Sequence, residues 1–155
     1  MYIIDRQRNE NRTVYVSNVV DGDFKQITKK RYLFNWKKLQ DECTIYKLAL
    51  AESDDILGLI ALTEHPDEER TEIKLLTVSV ENIGKEKQYD RIAGCLIAFA
   101  AKEALKKYKD FPCVSLIPKT EIRQHYIYKY QMTDTGWQLY LEGILLMNMI
   151  KEYLP

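Results

Sequence analysis

The sequence predicts an α/β (α+β) domain, and three observations carry that prediction. Three apolar runs, residues 44–51, 56–62 and 71–80, follow one another across short polar turns, the pattern of an antiparallel meander. Residues 88–107 then repeat apolar side chains at helical spacing. Ile92, Leu96, Phe99 and Ala100 share one face, with Ala93, Ile97, Ala104 and Leu105 beside it. Between the third run and this helix lies a polar loop containing Gly84, so strand, loop and helix succeed one another. Such an arrangement aims the backbone N–H groups of a helix start at an anion. An ordinary strand-to-helix connection has the same pattern.

In chain order, residues 1–12 are polar apart from their start and predict a loosely held segment. Residues 13–20 are β-branched and predict a first strand. Asp21-Gly22-Asp23 signals a turn, with Asp23 as a candidate N-cap. Residues 24–40 carry a patchy helical stripe (Phe24, Ile27, Tyr32, Trp36, Leu39), which fits one helix or two short ones. Its lysines and arginine outnumber the nearby acids, as a solvated helix face or as a patch for an acidic partner. Gly58, inside the second run of the meander, marks a bulge or a close backbone approach. After the long helix, residues 114–117 predict a short strand. Residues 121–130 predict a helix with Thr120 as its cap, residues 137–141 a last strand, and residues 144–154 a closing helix.

The composition excludes several classes. At 155 residues the chain fits a single domain, residues 1–155. Lys plus Arg equals Asp plus Glu at 23 each, so no overall basic field draws nucleic acid or an anionic membrane. No apolar run approaches the ~18 residues of a membrane span, and the apolar start of the chain is too short for a secretion signal. Cys43, Cys95 and Cys113 lie far apart in apolar contexts, which predicts buried free thiols in a reducing, cytoplasmic compartment. His65 and His125 are the only histidines, so no metal site is expected.

Residues 88–94, Gln88-Tyr89-Asp90-Arg91-Ile92-Ala93-Gly94, resemble the signature Q/R-x-x-G-x-G/A of the GNAT superfamily of acetyl-CoA-dependent N-acetyltransferases. The order of elements over residues 44–132 resembles that family too. The match holds at Gln88 and Ala93, with Gly94 following. The middle glycine is replaced by Arg91, which either pairs with a phosphate or obstructs the pocket. The resemblance implies a mixed, mostly antiparallel central sheet flanked by helices. It implies acetyl-CoA as co-substrate, with the backbone of residues 88–94 holding its pyrophosphate and Val78 and Val80 meeting its acyl arm. Lys85 and Lys87 are either phosphate contacts or solvated. It also implies that the sheet splays beside residues 114–117 and that no metal takes part.

Glu72 corresponds to the family's general base and Tyr126 to the tyrosine that protonates the leaving thiolate, with Tyr128 in reserve. Glu72 and Val78 are six residues apart, and strand alternation puts them on one face. Glu72 also reads as a solvent-facing residue near a turn, and Tyr126 as a core residue on the face of Ile122, Lys129 and Tyr130. The family's glycine after this helix is Gln131 here, and its asparagine after the short strand is Lys119. The expected function is acetyl transfer to the amine of a small-molecule or peptide acceptor. The alternative is a non-catalytic acyl-CoA-binding or protein-interaction module. The closing helix is expected to pack on its own sheet or on a second copy in a homodimer.

Overall fold

The computed structural model describes residues 1–155. Nine strands form one mixed sheet: β1 (Tyr2–Asp5), β2 (Glu10–Asn18), β3 (Thr44–Leu50), β4 (Ile56–His65), β5 (Arg70–Val78), β6 (Tyr89–Asp90), β7 (Cys113–Leu116), β8 (Thr133–Asp134) and β9 (Leu139–Glu142). Their spatial order is β6-β1-β2-β3-β4-β5-β7-β9-β8, and every pair is antiparallel except β5–β7. Four helices complete the fold: α1 (Lys29–Tyr32), α2 (Ile92–Lys107), α3 (Arg123–Tyr130) and α4 (Gly143–Tyr153). This is the mixed, mostly antiparallel sheet with flanking helices that the sequence implies. No helix is long and apolar enough to cross a membrane.

Each face of the sheet has its own core. The larger one gathers 27 buried residues from the sheet and from α2, α3 and α4. The smaller one has eight, with Tyr32 and Trp36 laid over Ile45, Ile56 and Leu59. The patchy stripe of residues 24–40 resolves into 3-10 turns at Asp21–Lys25 and Trp36–Asp41 around the single turn of α1, so no long helix forms there. The expected caps also differ. Asp23 is the third residue of its turn, and its carboxylate accepts from Val20 N–H; Thr120 lies inside a 3-10 turn.

Three corrections bear on function. Residues 1–12 are not loose: β1 and β2 form a hairpin, and β1 pairs Ile4 with Asp90 and Asp5 with Tyr89. The start of the chain therefore fixes the segment that resembles the acetyltransferase signature. The chain's end folds back on α2 and on strands β7 and β9 of its own chain, one of the two expected outcomes, but a short β8–β9 hairpin precedes it where the sequence predicts a single last strand. The third correction is a β-bulge. Leu62 pairs with Ile73 and Ala61 with Leu75, which leaves Lys74 as an extra residue in β5. One extra residue reverses the alternation. Glu72, opposite Thr63, therefore faces away from Val78, which lies opposite Gly58.

Gly58 realises both of its expected roles. The ladder with β3 shifts beside it, and α2 comes so close that an added Cβ would lie 2.7 Å from Ile92 and 2.9 Å from Leu96. This close approach sets the first turn of α2 against the end of β5.

Candidate active site

The sheet opens between β5 and β7. Their parallel pairing runs from Arg70↔Cys113 to Ile73↔Leu116 and stops there, while β5 continues to Val78. Beyond Leu116 the chain reaches Pro118, which has no N–H to extend the ladder. Residues 75–78 are thus paired with β4 on one side and open on the other. Ser79 N–H donates to Leu57 O at 2.9 Å, toward β4. Successive N–H groups along a strand point in opposite directions, so the Val78 N–H points into the opening.

A cleft of about 570 Å³ occupies this opening. Its walls are Leu76, Thr77 and Val78 from β5; Asn82, Ile83, Gly84 and Lys87 from the loop; Tyr89 to Ala93 from β6 and the start of α2; and Ile122, His125, Tyr126, Lys129 and Tyr130 around α3. Buried Asn82 shapes the loop, donating to Ser79 Oγ at 2.8 Å and accepting from Tyr89 N–H at 2.9 Å. Arg6 adds a bond from Nη1 to Lys85 O at 2.6 Å.

Of the residues singled out in the sequence, Val78, Tyr89, Asp90, Arg91, Ile92, Ala93 and Tyr126 line this cleft. Val80, Gln88, Gly94 and Glu72 do not. Val80 sits in a 3-10 turn beyond β5, and the backbone of Gln88 closes the loop through Glu81 O and Arg6 N–H. Gly94 serves packing, since an added Cβ would lie 2.2 Å from the Tyr153 ring of α4. Tyr126 is buried and its ring is 5.9 Å from that of Tyr130, whereas Tyr128 is 80% exposed. Burial pushes the Tyr126 hydroxyl pKa above the usual tyrosine value.

Arg91 takes the conformation that a glycine would adopt freely, with φ 81° as N-cap of α2. Its side chain packs between the two ends of the chain. The guanidinium lies 4.4 Å from the Tyr2 ring centre and 4.5 Å from that of Tyr153. It also donates to Glu152 Oε1 at 3.1 Å and to Glu152 O at 2.9 Å.

The charge at the cleft comes from other residues. Asp90 Oδ1 accepts from Arg91 N–H at 2.9 Å and from Lys87 Nζ at 3.0 Å, and it lies 3.9 Å from Lys129 Nζ. Burial alone would raise the Asp90 pKa, but the Lys87 bond, the Arg91 N–H and the lysine charges together lower it. Partial burial with Lys129 and Lys87 nearby lowers the His125 pKa. Lys129 is a cleft residue that sequence reading left without a role, although it lies three residues from Tyr126 on the same helical face.

Glu72 stands at the apex of the opening, on the other face of the sheet. It is 7% exposed, so the solvent-facing reading fails. Its Oε1 is 2.7 Å from His65 Nε2 and 3.9 Å from Arg70 Nη1, and its Oε2 is 3.8 Å from Lys74 Nζ. Arg70 in turn donates to Ser115 Oγ at 2.6 Å. Glu72 pairs with Ser115 in the ladder one residue before the strands part.

No protein-family model and no curated protein matches the sequence. Solved structures do match in fold. The spermidine/spermine N-acetyltransferase of Vibrio cholerae superposes with a TM-score of 0.64 at 14% identity, over 88% of this chain and 96% of that one. A GNAT family acetyltransferase of Elizabethkingia anophelis, with acetyl-CoA bound, gives 0.58 at 14% identity, over 84% and 98%. A Bacillus subtilis acetyltransferase in complex with CoA gives 0.55 at 12% identity, over 84% and 99%. The fold is that of the GNAT acetyltransferases.

Proposed function

We propose that this GNAT-fold chain is an acetyl-CoA-dependent N-acetyltransferase that passes an acetyl group to an amine by direct attack. The observation that carries the reading is the opening between β5 and β7, with the Val78 N–H directed into it and the start of α2 at one end. The residues present fit the co-substrate. The open edge of β5 offers backbone groups to its amide-bearing arm, and the α2 start with Lys87 and Lys129 suits its diphosphate.

Each proposed role has its own support. The Val78 N–H donates to the thioester carbonyl oxygen as charge develops there. The amine nitrogen bonds to the carbonyl carbon, and the carbon–sulfur bond breaks. Tyr126, held protonated by burial, gives its proton to the departing sulfur. Glu72, at the apex and on the face opposite α2, accepts the amine proton through water. In this proposal the acceptor approaches from that face, so the reversal at Lys74 puts the proposed base on the other face of the sheet from the Val78 side chain. The unpaired thiols, Cys95 and Cys113 buried among them, support a reducing, cytoplasmic setting.

One observation favours the protein-interaction form of the non-catalytic alternative: an acidic side chain, Asp90, occupies the anion position at the helix start. A melting experiment with acetyl-CoA, followed by turnover against a panel of primary amines and polyamines, decides. At ~100 times the dissociation constant, acetyl-CoA should stabilise the fold by about 2.7 kcal/mol. For a chain of this size that shifts the melting point by roughly 5–10 °C. A shift with acetyl transfer supports the enzyme, and a shift without transfer to any amine supports an acyl-CoA-binding module. No shift at millimolar acetyl-CoA would count against both and favour a protein-interaction module.

A further inference from the structure

At two consecutive positions the loop inverts the charge arrangement that an anion site calls for. Arg91 turns its guanidinium away, held by Glu152 and by the rings of Tyr2 and Tyr153. Asp90 turns its carboxylate inward, onto the first N–H of the α2 cap and onto the two lysines that line the cleft. The Asp90 side chain is 40% exposed and lines the cleft, so it is no sealed structural ion pair. An anion and a helix start attract one another whether the anion is a ligand or a side chain.

We infer that Asp90 is an internal competitor for the diphosphate of the co-substrate, and that binding moves this carboxylate off Lys87, Lys129 and the Arg91 N–H. The inference rests on the acetyl-CoA reading above and adds a residue that sets affinity. Two consequences follow from the charges. A carboxylate that remains near the site repels the incoming diphosphate, and one that leaves gives up its bonds to Lys87 and Arg91. Either way, the affinity of the wild-type chain falls below what the same loop would give without the acid.

The test compares CoA binding by titration calorimetry for the wild-type chain and Asp90→Asn. Asparagine keeps an oxygen for the Arg91 N–H and removes the charge. The variant should bind CoA about fivefold tighter or more at low salt, and the difference should shrink as salt rises. Asp90→Ser, with a hydroxyl acceptor, repeats the comparison if the asparagine variant folds poorly. Equal or weaker binding by well-folded variants, with the wild type binding, overturns the inference and leaves the acetyl-CoA reading intact. Failure of the wild type and every variant to bind CoA overturns both. Binding by the variants alone supports Asp90 as the dominant barrier and overturns the acetyl-CoA reading for the wild-type chain.

Discussion

The two faces of the sheet differ in how they are built. The α2 face has a continuous core of 27 buried residues, and its cleft is walled by the end of β5, the loop, the start of α2 and α3. The opposite face has a core of eight residues under 3-10 turns and a one-turn helix, and next to that core an ion-paired Glu72. A tightly packed face holds backbone groups still, as a cofactor arm requires. A face covered by short pieces presents varied side chains above the apex, which suits acceptor selection. On this reading the acid and the base lie on different faces, joined only through the gap in the sheet.

The largest expected effect breaks the comparison at its acid. Tyr126→Phe removes one hydroxyl and keeps the ring, so the fold and CoA affinity should persist while kcat falls by about 10²–10⁴. Tyr128→Phe should leave kcat unchanged, because that side chain stands in solvent. If Tyr128→Phe alone loses turnover, the acid lies outside the cleft and the assignment fails. Because burial raises the Tyr126 pKa above its ordinary value of 10.0, the acid stays protonated at neutral pH. Any alkaline loss of kcat traced to it must therefore fall above pH ~10. The same shift bears on stability. As pH rises past the unfolded value, the unfolded chain loses protons that the folded chain keeps, and stability falls. Tyr32 and Tyr130, raised mainly by burial, add to that alkaline loss.

Glu72→Gln tests the other face. The variant keeps the shape but breaks up the group formed with His65, Arg70 and Lys74. A base role predicts a roughly 10²-fold or greater loss in kcat with CoA affinity unchanged. A structural role predicts a lower melting temperature with turnover kept. Measuring both on one preparation separates them.

What the sequence made legible follows from the range of the forces involved. The meander and α2 are set by local periodicity; the meander appears where the pattern puts it, while α2 begins at Ile92 and not at Gln88, because Tyr89 and Asp90 pair with β1. β1 has only four residues, too few to show alternation, and its functional partner is β6, more than 80 positions away. The Lys74 bulge carries no compositional mark, so counting residues gave Glu72 the wrong face. The direction of Arg91 is decided by Tyr2, Glu152 and Tyr153, at the two ends of the chain. Most of the segment resembling the acetyltransferase signature does line the cleft, but Gly94 is small for Tyr153 and not for a phosphate. Tyr126 emerged through the resemblance alone, since its helical spacing reads equally well as core.

Next in size is the seam between α2 and α4. Gly94→Ala puts a methyl into the Tyr153 ring and should cost about 1–3 kcal/mol, or a melting point lowered by about 2–4 °C per kcal/mol. The same movement would loosen the Tyr153 side of the Arg91 stack. Adding Tyr153→Ala should make the pair less costly than the sum of its parts. Additive costs would show that the ring had already yielded and that the packed face is softer than the comparison holds.

The smallest effect contrasts two non-glycine residues in left-handed backbone on the same face. Arg91 at φ 81° is held by two aromatic rings and by Glu152, whereas Gln131 at φ 56° closes α3 in an exposed position. Glycine adopts this conformation without the Cβ clash. Gln131→Gly should relieve about 1 kcal/mol of strain, partly offset by the entropy that glycine adds to the unfolded chain. The net result should be a melting point unchanged or raised by a few degrees. Arg91→Gly relieves similar strain but gives up the stack and the Glu152 bonds, so it should lower the melting point. Turnover offers a second readout, because Arg91 caps the start of α2, where the diphosphate is proposed to bind, and Gln131 lies beyond the end of α3. Arg91→Gly should raise KM for acetyl-CoA as the loop loses its anchor, and Gln131→Gly should leave it unchanged. If both substitutions stabilise the fold, the Arg91 stack contributes less than the strain it holds in place, and the anchoring of the loop has to come from the β1–β6 pairing instead.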